Sequence, residues 1–111
     1  DISSWDVSGA TSLSGMFNGA TSFDQDLSGW DVSNVTNMVE TFKNTSAFNQ
    51  DINAWDVGNV FDMIDMFRNA TAFNQDLSGW SVNPNVTSCT NFDLGATNWT
   101  EPRPPFTSCT I

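Results

Sequence analysis

Residues 23–38 read FDQDLSGWDVSNVTNM, residues 48–63 read FNQDINAWDVGNVFDM, and FNQDLSGW returns at 73–80. The register is strict. Trp5, Trp30, Trp55 and Trp80 stand 25 residues apart, and so do Phe17, Phe42, Phe67 and Phe92, and Val7, Val32, Val57 and Val82. Ile2, Leu27, Ile52 and Leu77 form a fourth series. Phe23, Phe48 and Phe73 form a fifth, which Trp99 continues after a one-residue insertion. A unit of this length cannot bury its apolar edge alone, whereas stacked copies can, so the period decides the architecture. Packing accounts for the aromatic residues. The Asp, Asn and Gln that return with them need a second explanation.

The period falls inside the range of about 20–29 residues used by leucine-rich repeats. In LSGWDVSNV, Leu27, Trp30, Val32 and Val35 occupy the L-x-x-L-x-L offsets. The Trp–Asp–Val triplet reads as a very short strand with its Asp pointing outward. Val35, Met38 and Phe42 follow at i, i+3, i+7 spacing, as do Val60, Met63 and Phe67, and this spacing predicts two turns of helix. A turn is expected at NTSA (44–47) and NATA (69–72), after which Phe48 or Phe73 fills the corner. The expected fold is therefore an α/β solenoid, leucine-rich-repeat-like. About four 25-residue coils, each with a short parallel strand and a short helix, would cover 1–92. Residues 93–111 would form a C-terminal capping tail. Trp5, Trp30, Trp55, Trp80 and Phe17, Phe42, Phe67, Phe92 are the expected core columns. Trp99, outside the strict register, is the tryptophan expected to be most exposed.

The words FNQDLSGW, WDVSNVTNM and the Met-Phe pairs that precede Ala-Thr (16–17 and 66–67) resemble the BspA-like surface repeats, a leucine-rich-repeat-like family. The resemblance covers residues 1 to about 92. It implies an extracellular or cell-surface protein linked to adhesion, with no chemistry of its own. The pattern departs at Gly9-Ala10-Thr11, where Asn-Val-Thr is expected, and at Phe61-Asp62. It departs again at Ser81 and Pro84, as befits a terminal unit giving way to a cap.

Three Lys+Arg against thirteen Asp+Glu, with no His, leave a net charge of −10. Nucleic acid and anionic membrane surfaces both need a basic face, so neither is an expected partner. No apolar run is long enough for membrane insertion. Nine Phe and five Trp argue against disorder despite the acidity. Cys89 and Cys109 sit in identical words, TSCT at 87–90 and 107–110. A disulfide between them would close a loop of about 20 residues, worth on the order of 3 kcal/mol in the loop-entropy model. The other reading is two free thiols in a reducing compartment.

Asp6, Asp31 and Asp56 form one acid row, and Asp1, Asp26, Asp51 and Asp76 another. Two readings compete. Each Asp accepts hydrogen bonds from backbone N–H groups at a turn, or the rows gather calcium, with Asp6, Asp31 and Asp56 as the candidate ligands and no other cofactor expected. The absence of any EF-hand loop or glycine-rich calcium repeat favours the first. Asn49-Gln50, Asn74-Gln75 and Asp24-Gln25 read as ladders that satisfy loop backbone between coils. Five N-x-[ST] sequons, at Asn34, Asn44, Asn69, Asn85 and Asn98, would carry glycans in a secretory eukaryote and stay bare in a bacterium. With no nucleophile–base pairing, and Glu40 and Glu101 the only glutamates, no enzyme is expected.

The resulting functional expectation is a non-enzymatic extracellular or cell-surface structural and adhesion module that binds a protein or glycan partner. Two alternatives stand beside it: a subunit of a head-to-tail filament, and a calcium-dependent binding module. The filament reading starts from Asp1, which opens directly on ISSWDV with no capping segment. An open end of a repeat stack either receives further residues or docks on another molecule, and head-to-tail self-association does not close.

Overall fold

A computed structural model describes all 111 residues. Successive repeats lie on one another as rungs, spanning 1–25, 26–50, 51–75 and 76–101, within overall dimensions of 35 × 32 × 21 Å. The expected α/β solenoid does not form. The chain contains no helix, and β-pairing is confined to isolated parallel bridges that link Ser12, Asn37, Asp62 and Ser88. The leucine-rich-repeat comparison fails with it. The Trp–Asp–Val triplets make no cross-rung backbone bonds.

The physical reason lies in where the backbone hydrogen bonds go. In an α-helix every N–H would turn back four residues. Here the N–H groups of Met38, Glu40, Phe42 and Asn44 donate instead to the carbonyls of Asp62, Ile64, Met66 and Arg68 on the next rung. The alternate residues close tight turns within their own rung, Thr41 N–H to Met38 O, Lys43 to Glu40 and Thr45 to Phe42. The same alternation joins Leu13, Gly15, Phe17 and Gly19 to Asn37, Val39, Thr41 and Lys43. It also joins Met63, Asp65, Phe67 and Asn69 to Ser88, Thr90, Phe92 and Leu94. The segment predicted as helix is thus a run of turns, each satisfied half locally and half by its neighbour.

Such a run needs left-handed backbone at two places per rung. Gly15, Glu40, Asp65 and Asn91 occupy the first, with φ between 56° and 64°. Gly19, Asn44, Asn69 and Gly95 occupy the second, with φ between 59° and 81°. Gly reaches this region without steric cost, and Asn and Asp tolerate it better than other residues. This gives a direct test. In a helix, Asn91→Ala would stabilise, because Ala is the stronger helix former. On a left-handed residue it is expected to destabilise by about 1 kcal/mol, measured by urea melts of the two proteins.

Twenty-four buried residues form a single core. Phe17, Phe42 and Phe67 stack with ring centroids 5.6 and 5.3 Å apart, and Phe23, Phe48 and Phe73 with 5.7 and 5.8 Å. The two columns touch at 4.2–4.3 Å within each rung. Each such pair contributes about 0.5–1.5 kcal/mol beyond its area burial. The tryptophan indoles tie rung to rung: Trp30 Nε1 donates to Ile2 O, Trp55 to Leu27 O and Trp80 to Ile52 O, at 2.9–3.1 Å. Two threonines are fully buried. Their hydroxyls are satisfied by carbonyls, Thr41 by Leu13 and Met38, and Thr45 by Phe42.

Two expected column positions and one expected exposure are corrected. Trp5 is 55% exposed, while Trp30, Trp55 and Trp80 are buried, because no rung lies over it. Phe92 is buried but does not continue the Phe column. The bridge from Asp62 to Ser88 places the extra residue before 88, at Asn83-Pro84-Asn85, so Phe92 fills the slot of Met66 and meets Phe67 edge-on at 66°. Asp93 takes the next column place. Trp99 is buried, not exposed. It packs edge-on against Phe67 and Phe73 and donates to Gln75 O. Cross-rung bonding runs on to Pro102, which accepts from Leu77 N–H. Beyond it, Arg103 lies 4.6 Å from the Trp99 ring centroid and bonds Asp93, Phe106 packs edge-on over Phe92, and Cys109 forms a disulfide with Cys89.

Candidate functional site: an exposed acidic edge

Every member of both acid rows is exposed and stands just before a turn. Every row member spends one carboxylate oxygen on the N–H two residues ahead. Asp1, Asp26, Asp51 and Asp76 accept from Ser3, Ser28, Asn53 and Ser78. Asp6, Asp31 and Asp56 accept from Ser8, Ser33 and Gly58. These are Asx turns, in which the side chain holds the bend that the following apolar residue needs. The Ser8 and Ser33 hydroxyls add a second bond to Asp6 and Asp31, at 2.6 and 2.5 Å. The calcium reading of Asp6, Asp31 and Asp56 gains nothing from this geometry: the acids face their own turns, and nowhere do three acids or cysteines converge on a point that could hold a metal ion.

The serine hydroxyl and then the serine N–H hold Asp6 below the usual carboxylate value of 3.8, and Ser28 and Ser78 do the same to Asp26 and Asp76. Ser33 lowers Asp31 in the same order, against a smaller upward push from the charge of Asp6. A carboxylate whose value is depressed by folding contributes stability that is complete above its unfolded value and is lost as pH falls through its folded one. Melting temperature is therefore expected to hold from neutral pH down to about 4 and then to fall. Replacing Asp6 and Asp31 with Asn, which keeps an acceptor oxygen without the charge, should shallow that fall.

A second polar column runs along the corner. Asp24 Oδ1 accepts Asn49 N–H, Asn49 Oδ1 accepts Asn74 N–H, and Asn74 Oδ1 accepts Thr100 and Glu101 N–H. Gln50 and Gln75 reach back to the carbonyls of Asp24 and Asn49. These pairs are the backbone-satisfying ladders their register suggested. The sequons divide by the same criterion. The Asn34 amide donates to Ser8 O, Asn44 to Asn18 and Asn69 to Asn44. Asn85 and Asn98 are exposed, and neither side-chain amide is engaged.

Charge pairing was not legible in the sequence. Lys43 contacts Glu40 and Asp65, Arg68 contacts Asp65, and Arg103 contacts Asp93. All three cations are thereby spent on three acids, which leaves ten of the thirteen unpaired. Nine of those ten, all but Asp62, are exposed. The only available signal was weak: Glu40–Lys43 and Asp65–Arg68 share an i, i+3 spacing that the helix reading would have paired for a different reason. No pocket indents the surface, and no helix is long and apolar enough to cross a membrane.

The fold and its edge define a class: a tandem-repeat protein whose turn-built rungs display fixed polar rows. The chain belongs to the family described as Mycoplasma protein of unknown function, DUF285, whose model matches residues 1–102. That span ends at the last residue held by a cross-rung backbone bond. No curated protein and no solved structure matches the chain.

Proposed function

We propose that this chain is a non-enzymatic structural and adhesion module of the cell surface or extracellular space, of the BspA-like kind, and that its acidic edge engages a protein partner through basic groups. The observation that carries this reading is the pair of exposed Asp rows, held in Asx turns at a fixed repeat spacing, with every cation of the chain already paired elsewhere. Carboxylates held in place by their own turns lose little side-chain freedom on binding, which favours recognition. An oxidising location is supported by the disulfide. Binding to an immobilised lysine-rich peptide at two salt concentrations tests the reading. The wild type should bind and be displaced by salt. The triple variant Asp6→Asn, Asp31→Asn, Asp56→Asn should bind far less while still folding and melting cooperatively, at a somewhat lower temperature, and equal binding by both proteins would exclude this row as the binding surface.

In a host that adds N-linked sugars, Asn85 and Asn98 are the expected attachment points, since their amides are free. Peptide mapping by mass spectrometry checks this, and occupancy concentrated at Asn44 and Asn69 would contradict it.

A further inference from the structure

Residues 103–111 are held differently from everything before them. Cross-rung backbone bonding runs as far as Pro102, whose carbonyl accepts Leu77 N–H, and stops there. The one backbone–backbone bond made by 103–111 lies inside the segment, from Phe106 N–H to Pro104 O. The sequence explains the change. Pro102, Pro104 and Pro105 carry no N–H, so three of the four residues 102–105 have nothing to donate to a ladder. The family match ends at the same point, residue 102.

Side chains and one covalent bond seat the segment instead. Arg103 Nε donates to Asp93 at 2.9 Å, and the guanidinium lies 4.6 Å from the Trp99 ring centroid. Phe106 meets Phe92 edge-on at 5.1 Å, and the Ser108 hydroxyl donates to Pro84 O. Cys109 is joined to Cys89. These non-covalent contacts are few and lie near the surface. Both partners of the Arg103–Asp93 pair are partly exposed, at 31% and 23%, and such pairs contribute little. Of the nine residues, Pro104 alone is buried and five are exposed. Against this stands the conformational entropy lost at every residue that is ordered. The disulfide offsets that loss by fixing the segment to the rung at a second point.

We propose that 103–111 is a redox-controlled strap: the Cys89–Cys109 bond keeps it seated, and a dithiol releases it from the surface of Phe92, Asp93 and Trp99 while the rungs stay folded. A thiolate of the reductant attacks Sγ of Cys109, the half-buried cysteine, and Cys89 leaves as a thiolate and takes up a proton. The second thiol of the reductant attacks the mixed disulfide, and Cys109 leaves and is protonated in turn. Two electrons and two protons pass to the protein, and the reductant closes into its own disulfide. Release takes away the cation paired with Asp93, and Phe92 and Trp99 lose the cover of Phe106 and Arg103. Nothing in this device depends on what the acidic edge binds.

Limited proteolysis with subtilisin, a protease without disulfides of its own, tests this on the 111-residue chain, oxidised and in dithiothreitol. Near-UV circular dichroism reports the buried aromatic columns in the same samples. Each time point is quenched and then fully reduced, so that a cut within 103–108 reads by mass spectrometry as loss of the residues beyond it. The reduced chain and the Cys109→Ser variant should be cut there at least about tenfold faster than the oxidised chain, as expected for local release, with the aromatic signal unchanged. Equally slow cutting in all three would show that the contacts seat the segment without the bond, and equally fast cutting that the bond does not seat it. Either result overturns the strap. Loss of the aromatic signal in the reduced chain or in Cys109→Ser would show that the bond holds the rungs themselves, and would overturn it as well.

Discussion

Trp55→Ala should cost about 3–5 kcal/mol, the range for removing a fully buried aromatic, whereas Trp5→Ala should stay within about 0.5 kcal/mol of wild type, as for an exposed side chain. The two residues hold the same place in their repeats. Trp55 is 3% exposed, lies 6.0 Å from Phe42 and donates to Leu27 O across the rung boundary. Its removal leaves a hole between two rungs that stacked aromatics on either side cannot close. Trp5 has no rung over it and no partner for its indole. A domain of this size has only about 5–15 kcal/mol in total, so the first variant should melt far below the second and approach partial unfolding at room temperature. Urea denaturation of both measures the difference. Similar midpoints would mean that the stack is not what buries these tryptophans.

Opening the Cys89–Cys109 bond comes next in size. The cysteines are 20 residues apart, and a loop of that length is worth on the order of 3 kcal/mol through the entropy it removes from the unfolded chain. The two single variants should differ. Cys109→Ser places a hydroxyl at a half-buried site and leaves Cys89 as a buried thiol, which behaves as a small apolar group. Cys89→Ser puts the hydroxyl at a site 1% exposed within the hydrophobic core, and should lose a further 1–3 kcal/mol or so. Thermal melts of the oxidised, reduced and two variant proteins give the order. An unchanged melting point on reduction would mean that the tail adds nothing to the stability of the rungs.

The way the helix expectation failed is instructive. Val35, Met38 and Phe42 are all buried, as a helical stripe would require. A rung of alternating turns buries residues at much the same intervals, so periodicity could not separate the two. The sign against helix was in the sequence all the same: Gly19, Asn44, Asn69 and Gly95 recur at one register position, and Gly and Asn are the residues that reach left-handed backbone most readily. In the companion position, held by Gly15, Glu40, Asp65 and Asn91, Glu40 obscured the signal, since Glu has no preference for left-handed backbone. The acid rows were legible as turn acceptors because Asp followed two residues later by a small polar residue or Gly is a local motif that needs no tertiary knowledge.

The sequence by itself determined that the units are equivalent and which side chains are apolar, and it favoured bends as the role of the acids, because each of these follows from spacing and residue chemistry within one unit. Only the tertiary structure decided that the segment after each valine is turns and not helix, that Phe92 slips out of the phenylalanine column, that Trp99 is covered while Trp5 is not, and that every cation is paired. Each of those depends on what lies on the adjacent rung. A backbone N–H that can bond within its own unit or across to the next is assigned by the stack as a whole, and no 25-residue window contains that choice.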